Sequence, residues 1–277
     1  MKISDTGIAA FSAWLHAGEK SAATIEKYRR EALRFAAWLD GRTVDKTAAR
    51  GYKAQLAEER TPAGVNGAVA ALNSLFDFLG MPECRLKAVK IQRRVFRDEA
   101  RELSQAEYHR LLAAAKERKN ERLLLVMETI CATGIRVSEL RAFTVEAVRL
   151  GRAEVTNKGK TRTVFLPGRL QRVLLKYVKS RRIAAGPVFV TRSGRPLDRS
   201  NIWHDMKALC RDANVAESKV FPHNLRHLFA RTFYGLEKDI VRLADILGHS
   251  DVNTTRIYTM ETGETHRRQL EKMRLVI

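Results

Sequence analysis

The sequence predicts a mainly α-helical protein of two domains with one small β-sheet. Apolar residues recur at three- and four-residue spacing along most of the chain, which is the pattern of amphipathic helices. Apolar and polar residues alternate around residues 152–166, which is the pattern of a β-hairpin. A charged stretch without periodicity follows the Gly80–Pro82 break, and it indicates a linker between a helical N-terminal domain and a mixed α/β domain.

The first domain, residues 1–90, is predicted to contain four helices. Two long apolar stripes, Ile25–Leu39 and Val65–Leu79, each fit one face of a helix. Thr24 is the predicted N-cap of the first stripe, and Gly41 and Gly80 follow the stripes where C-terminal caps belong. Shorter helices are expected around Ile8–Ala17 and Lys46–Glu58. The helix pattern is compatible both with a generic helical domain and with a DNA-binding domain, and nothing in this segment decides between them.

Residues 91–102 form the predicted linker, residues 103–263 the second domain, and residues 264–277 a C-terminal helix. Ser104 and Glu107 have the spacing of a capping box, which predicts a helix from there to about Lys119. A second apolar helix is expected from Arg122 to Ala132, and a short one begins near Val137.

The rest of the second domain is predicted to contain a hairpin and further helices. Arg152–Thr156 and Thr161–Leu166 alternate as paired strands, and a basic turn joins them. Helices are expected at 168–183 and 200–213, with a short strand at Val188–Thr191 between them. From Pro222 onward the chain is predicted to be helical, with interruptions at Gly235, Gly248 and Gly263.

The charge of the chain indicates an acidic partner. Lysine and arginine number 51 against 31 acidic residues, a formal charge of +20, and residues 101–277 hold 34 of the basic and 19 of the acidic residues. A hydrophobic content of 45% excludes a disordered basic tail. No run of about 18 apolar residues or signal-peptide core occurs, so we expect a soluble, cytoplasmic protein with no membrane partner.

The three cysteines lie far apart and outside any Cys-x-x-Cys spacing. They predict neither a disulfide framework nor a zinc cluster.

The first motif that carries chemistry is ATGIRVSEL at residues 132–140. Gly134 permits a tight turn, and Arg136 follows where a helix begins, so its guanidinium and the free backbone N–H groups can face one anion. A surface arginine would also account for this motif when it is taken alone.

The second motif follows Pro222, where His223, Arg226 and His227 share one helical face. Two histidines at this spacing also suggest zinc, but a zinc peptidase needs glutamate at the position of Asn224. A hydrogen-bonded structural histidine is a further interpretation, above all for His227.

The third motif runs from Leu243 to Tyr258. An apolar helix ends at Gly248, the sequence LGHS contains His249, and Tyr258 lies one turn past Thr254 on the following helix. A half-buried packing tyrosine would also fit Tyr258 alone.

Taken in order, these motifs, with the lysine hairpin between the first and second, resemble the tyrosine recombinase (phage integrase) family. Its Xer-type and small integrase members are the most similar. The resemblance covers about residues 103 to 260, and the first domain is similar to the family's DNA-clamping core-binding domain by size and pattern. It implies attack of a tyrosine hydroxyl on a DNA phosphodiester, a 3′-phosphotyrosine, a free 5′-hydroxyl, and rejoining by transesterification without metal, cofactor or external energy source.

The resemblance also implies a role for each residue that matches a family motif. Tyr258 matches the nucleophile, with Tyr234 as the alternative. Arg136 and Arg226 match the pair that binds the non-bridging phosphate oxygens. The planar, forked donors of arginine fit a phosphorane better than the ammonium of lysine does.

The remaining matches concern proton movement and orientation. His223 and His249 match the residues that hydrogen-bond the phosphate and assist proton movement. Lys158 matches the general acid, but the turn is shorter before Arg162 than in many relatives, so Lys160 remains an alternative. Glu139 matches a carboxylate that orients the site, and His227 is not expected to be catalytic.

Three other functions remain as alternatives. A type IB topoisomerase-like nicking-closing enzyme would share the same residues. A DNA-binding regulator would keep the fold but lack the catalytic activity. A zinc hydrolase is the weakest of the three alternatives. The family resemblance implies double-stranded DNA sites as the partner and a homo-tetramer on DNA through exchange of the C-terminal helix. It also allows an accessory protein or a partner recombinase, and it implies that the cytoplasmic protein is associated with the nucleoid.

Overall fold

The computed structural model describes residues 2–91, 99–157, 159–259 and 263–273. The chain divides into two compact units, Met1–Arg93 and Arg94–Ile277. In the described ranges the protein is mainly helical and contains a single two-stranded sheet, which confirms the predicted fold class. None of the helices in those ranges is both long and apolar enough to cross a bilayer.

The first unit contains the four helices that the sequence predicts. Their bounds are α1 Asp5–Ala17, α2 Ala22–Leu39, α3 Lys46–Glu59 and α4 Pro62–Phe78. A side-chain oxygen caps the N-terminus of each one, and Phe11, Phe35, Leu72 and Phe76 are almost fully buried between them. The apolar stripes of the sequence therefore form one core.

The predicted N-cap of α2 was wrong. Ser21, not Thr24, precedes the helix in extended conformation, and its hydroxyl accepts a hydrogen bond from the Thr24 backbone N–H. Both residue types can cap a helix, and Ser21 takes the role because it lies three residues before the N–H that needs an acceptor.

The second unit opens with α5, Gln105–Glu117, and the predicted capping box of Ser104 and Glu107 is present. The other helices of this unit are α6 Glu121–Thr133, α7 Val145–Leu150, α8 Gly168–Ser180, α9 Arg199–Ala208, α10 Pro222–Glu237, α11 Ile240–Leu247 and α12 Gly263–Lys272. Helix α6 packs against α5, α8, α9 and α10, so it is the central helix of the unit. The sequence analysis missed α7, which Thr144 caps.

The hairpin consists of β1, Arg152–Asn157, and β2, Lys160–Phe165, in antiparallel register. Asn157 pairs with Lys160 and Val155 pairs with Arg162. The predicted strand at Val188–Thr191 was wrong, because in this segment only Val190 forms an isolated bridge, with Pro196.

Two further expectations about the C-terminal helices were wrong. Gly235 does not interrupt α10, which continues to Glu237. Tyr258 lies on a short 3-10 helix, Arg256–Tyr258, and not on a regular α-helix. The predicted end at Gly248 is correct, because this glycine adopts a left-handed conformation directly after α11.

Candidate active site

Arg136 is positioned by a turn that requires glycine. Helix α6 ends at Gly134, which has φ +65°, and a Cβ atom there would lie 2.3 Å from Cδ1 of Phe229. The chain then becomes extended at Arg136 and enters the 3-10 helix Val137–Ala142. Glu139 of this helix accepts hydrogen bonds from the Arg136 backbone N–H at 2.8 Å and from its guanidinium at 3.1 Å.

Glu139 is buried beneath Arg136 and also pairs with Arg162 of β2. The two terminal nitrogens of Arg162 donate to the two carboxylate oxygens of Glu139, each at 2.9 Å. Burial raises the pKa of Glu139, but the Arg162 guanidinium and the Arg136 backbone N–H outweigh that effect and hold the pKa below its ordinary value. The carboxylate is therefore ionised at neutral pH, and it orients two arginines.

The sequence analysis assigned no role to Arg162. A signal was present, because β2 buries Val164, and Arg162 lies on the same face of the strand two residues earlier. An arginine on the inward face of a strand needs a buried acceptor, and Glu139 is that acceptor.

Arg226 of α10 is almost completely buried, with 1% of its surface exposed. Its guanidinium donates to the carbonyl oxygens of Gly134 at 2.7 Å and Leu247 at 2.9 Å. These carbonyls lie at the C-terminal ends of α6 and α11, where the helix dipole favours a cation. Burial lowers the pKa of Arg226 to about 10, which leaves it charged at neutral pH.

His249 follows Gly248 and joins Arg226 to the segment that contains Tyr258. Its Nε2 lies 3.0 Å from Nη2 of Arg226, and its Nδ1 lies 2.8 Å from Oγ1 of Thr255. Because arginine is only a donor, Nε2 accepts and Nδ1 carries the proton. Burial, followed by the charges of Arg226 and Arg136, lowers the pKa of His249 to about 4, so the ring is neutral in the DNA-free protein.

The rings of the two histidines of α10 and of Tyr258 contact one another in a row. The ring centroids of His223 and His227 are 4.4 Å apart, and those of His227 and Tyr258 are 5.0 Å apart in edge-to-face geometry. Desolvation of the ring, and then the charges of Arg226 and Arg136, lower the pKa of His223. Burial lowers the pKa of His227 to about 3.

His227 is not the hydrogen-bonded structural histidine that the sequence suggested. Its Nε2 is buried and has no hydrogen-bond partner among the described residues. The ring instead packs between His223 and Tyr258, a contact that the sequence analysis did not foresee.

Tyr258 is 5% exposed, and its ring stacks on His249 with centroids 6.3 Å apart. Burial raises the pKa of Tyr258, although the nearby Arg226 opposes this effect. The hydroxyl is therefore protonated at neutral pH, and the short 3-10 helix places it beside the buried guanidinium.

The structure thus brings most of the predicted residues into one cluster. The cluster contains Arg136, Glu139, His223, Arg226, His249 and Tyr258, together with Arg162 and His227. Lys158 lies outside the described residues, and Lys160 is exposed at the start of β2. Tyr234, the alternative nucleophile, packs on the small apolar cluster around Tyr258, and the Lys238 ammonium lies 5.4 Å from its ring.

Metal ligands do not converge in the described part of the chain. No group of three His, Cys, Asp or Glu side chains there could hold a metal ion. The cluster is instead rich in guanidinium groups, which bind phosphate oxygens through paired N–H donors.

Comparisons with known proteins agree with this chemistry. The model of the Phage integrase family matches residues 101–264. Tyrosine recombinase XerA of Thermococcus kodakarensis is 31% identical, and the match covers 96% of this chain and 94% of the relative. Among solved structures, a XerA recombinase is similar over 99% of both chains with 24% identity and a TM-score of 0.54.

A second solved structure is a lambda integrase tetramer bound to a Holliday junction. It is 17% identical with a TM-score of 0.72, and the match covers 91% of this chain and 76% of that one. At 17% identity, this similarity shows only that the two proteins share a fold. Since the family model covers more than half of the sequence, the chain belongs to the phage integrase family of tyrosine recombinases.

Proposed function

We propose that this protein is a site-specific DNA recombinase that cuts and rejoins strands through a 3′-phosphotyrosine on Tyr258. The observation that carries the proposal is the convergence of Tyr258, His249 and the buried charged Arg226 in one cluster. Family membership supports recombination, and double-stranded DNA is the acidic partner that the charge of +20 requires.

The phosphate is held by two arginines. Arg136 reaches the surface with 29% of its side chain exposed, while Glu139 fixes its other side. Arg226 approaches from the buried side and is held by two helix-end carbonyls. Their positive charge stabilises the negative charge that develops on the non-bridging oxygens as the phosphorane forms.

Cleavage exchanges one ester bond for another. The Tyr258 oxygen attacks phosphorus and loses its proton, the bond to the 5′ oxygen breaks, and that oxygen takes a proton from a general acid. Lys158 is our assignment for the acid, with Lys160 as the alternative on the same hairpin. Attack by the 5′-hydroxyl of another strand reverses the step, so no metal, cofactor or external energy source is needed.

His223 and His249 flank the phosphate in this proposal. In the DNA-free protein both have lowered pKa values, first because the fold desolvates their rings and second because they lie close to arginines. A bound phosphate adds negative charge beside them, which raises their affinity for protons. They can then donate hydrogen bonds to the phosphate and assist removal of the Tyr258 proton.

The two units receive separate roles. We assign DNA clamping to residues 1–90 as a core-binding domain and catalysis to residues 103–263, with residues 91–102 as the linker between them. The C-terminal helix, residues 264–277, is assigned to exchange between protomers of a homo-tetramer. A lambda integrase tetramer on a Holliday junction supports this assembly, and an accessory protein or partner recombinase is compatible with it.

The topoisomerase alternative would use the same residues without strand exchange. The relatives named above are recombinases, which favours recombination. The two activities separate in a test with two duplexes of different length, because only a recombinase joins a strand of one duplex to a strand of the other.

The experiment that tests the proposal traps the covalent intermediate. The protein is incubated with fragmented double-stranded genomic DNA, denatured, and the DNA attached to protein is sequenced. Wild-type protein should yield adducts at a defined sequence, and Tyr258→Phe should bind DNA but yield none, because only the nucleophilic oxygen is removed. Adducts that persist in Tyr258→Phe would contradict the proposal.

A further inference from the structure

Arg162 connects three segments of the site, namely its own strand and two others. It lies on β2, it pairs with Glu139 through two hydrogen bonds of 2.9 Å, and its Nε donates to the Ile246 carbonyl at 3.1 Å. Glu139 in turn holds Arg136, and Ile246 lies three residues before His249. One side chain therefore connects the hairpin, the turn with Arg136 and the end of α11.

The path of this side chain is closely packed. Only 14% of the Arg162 side chain is exposed, and it runs past Gly248. A Cβ atom at Gly248 would lie 2.8 Å from Cδ of Arg162 and 3.2 Å from its Nε. Lysine could not replace these contacts, because one ammonium cannot make a forked pair with a carboxylate and also donate sideways to a carbonyl.

The contacts of Arg162 fix the position of the hairpin near its tip. Arg162 pairs with Val155, and two residues further along the ladder Lys160 pairs with Asn157, before the turn. Two residues of strand span about 7 Å. An anchor at this distance restricts where the basic turn can lie relative to Arg136 and His249.

The same contacts argue against phosphate binding by Arg162. Both terminal nitrogens face the Glu139 carboxylate, and Nε faces the Ile246 carbonyl. Exchange of these partners for a phosphate would leave a buried, ionised Glu139 without its forked partner, which is costly.

We propose that Arg162 is a positioning residue for protonation of the leaving group. It holds the hairpin, and with it the general-acid lysine, in register with the phosphate-binding arginine and His249. This inference rests on the proposed function, since it concerns the step in which the bond to the 5′ oxygen breaks and that oxygen receives a proton.

The test compares two leaving groups at the same scissile phosphate. Both substrates are duplexes with the cleavage site found by adduct sequencing, and one has sulfur in place of the 5′-bridging oxygen. A sulfur leaving group departs with little need for protonation, so it bypasses a misplaced acid. Single-turnover cleavage is measured for wild type, Arg162→Lys and Lys158→Ala, with Arg152→Lys as the control on the exposed part of β1.

Arg162→Lys should slow cleavage of the oxygen substrate on the order of a hundredfold, the effect of a misplacement of about 1 Å. Arg162→Lys should cleave the sulfur substrate at close to the wild-type rate. Lys158→Ala, which lacks the general acid, should do the same. The control Arg152→Lys should match wild type on both substrates. Equal slowing of Arg162→Lys on both substrates, or no slowing on either, would overturn the inference.

A second variant keeps the test decisive if Arg162→Lys does not fold. Glu139→Gln keeps the shape of the carboxylate and removes its charge. The sulfur substrate should restore only part of the cleavage rate that Glu139→Gln loses, because Glu139 also holds Arg136. No restoration at all would contradict the inference. Failure of wild type to form any Tyr258-dependent adduct would instead contradict the proposed function, so the two failures are distinguishable.

Discussion

The two arginines that reach the end of α11 bind adjacent carbonyl groups. Arg162 donates to Ile246 and Arg226 donates to Leu247, so the last turn of the helix before His249 is held from two sides. Both guanidinium groups stabilise the negative end of a helix dipole. The position of His249 is therefore set by charged groups that belong to other elements, which a sequence motif cannot show.

Replacement of Arg226 by lysine should abolish most of the activity. We expect Arg226→Lys to slow cleavage at least about a hundredfold, the typical loss for one preorganised donor at a developing charge. An ammonium cannot span the Gly134 carbonyl, the Leu247 carbonyl and His249. Single-turnover rates with Arg149→Lys, an exposed control, measure the effect. A wild-type rate in Arg226→Lys would assign this residue a purely structural role.

Two half-buried histidines predict a loss of stability in mild acid. The folded protein holds His249 and His227 with pKa values of about 4 and 3, whereas an ordinary histidine has a value near 6.5. Between these values the unfolded chain binds more protons, so the free energy of unfolding falls as pH falls below about 6.5. The slope is at most about 1.4 kcal/mol per pH unit for each histidine.

Urea denaturation at pH 7 and pH 5 measures this decrease. His227→Gln should show a smaller decrease than wild type, because one of the two half-buried titrating rings is removed. An unfolding free energy that does not change between the two pH values in wild type would show that these rings are not held neutral by the fold.

The sequence was most informative where a residue needs a particular chemistry. Arg136, Arg226, His249 and Tyr258 could be found because their motifs occur in the order of a known family, and the structure brings them together. Arg162 was missed because its role depends on Glu139, 23 positions earlier in the chain. The alternation along β2 places Arg162 on the inward face, but which acceptor it meets there depends on tertiary packing.

At the scale of elements, the turn after α6 is the most constrained. Gly134 ends the helix, lies against Phe229 of α10 and offers its carbonyl to Arg226. A side chain there would meet both a left-handed backbone and an occupied space, so the turn links the end of α6 to the placement of Arg226.

Gly134→Ala should destabilise the protein more than Gly194→Ala. Both glycines have positive φ, +65° and +79°, but nothing lies within 4 Å of a Cβ atom at Gly194. Each alanine incurs the left-handed backbone cost of about 1–2 kcal/mol, and Gly134→Ala adds an overpacking cost of about 1–3 kcal/mol against Phe229. Chemical denaturation of both variants gives the difference. Equal free energies of unfolding would contradict the close approach of Phe229.

Most helix positions and the helix end at Gly248 could be predicted from the sequence, but the effect of Gly235 could not. Gly235 lies inside α10, because a glycine costs only about 1 kcal/mol in a helix and packing can offset that. Val188–Thr191 has strand-forming residues but does not form a strand in the structure, since local propensity cannot supply a neighbouring strand. Val188 instead donates its N–H to the Phe143 carbonyl.

At the scale of the whole molecule, charge predicted the class of partner and the family predicted the assembly. The C-terminal helix α12 leaves Leu270 and Met273 more than half exposed, at 54% and 55%. A contiguous exposed apolar patch is typical of an interaction surface. The predicted C-terminal helix also contains Leu275, Val276 and Ile277, which lie outside the described residues.

Deletion of residues 264–277 should separate binding from assembly. We expect the truncated protein to bind a single DNA site as wild type does, and to lose both recombination and the four-protomer complex, because head-to-tail contacts that close a ring need every link. Native gels with one site and with two sites measure this. Recombination and assembly by the truncated protein would show that the tail does not connect the protomers.

The most direct test of the account is the identity of the residue that carries the DNA. The trapped adduct is digested with protease and nuclease, and mass spectrometry locates the nucleotide and the carbon to which its phosphate is joined. The account predicts a single modified peptide with a 3′-phosphate on Tyr258. A nucleotide on Tyr234, or a 5′-phosphate on any residue, would contradict it.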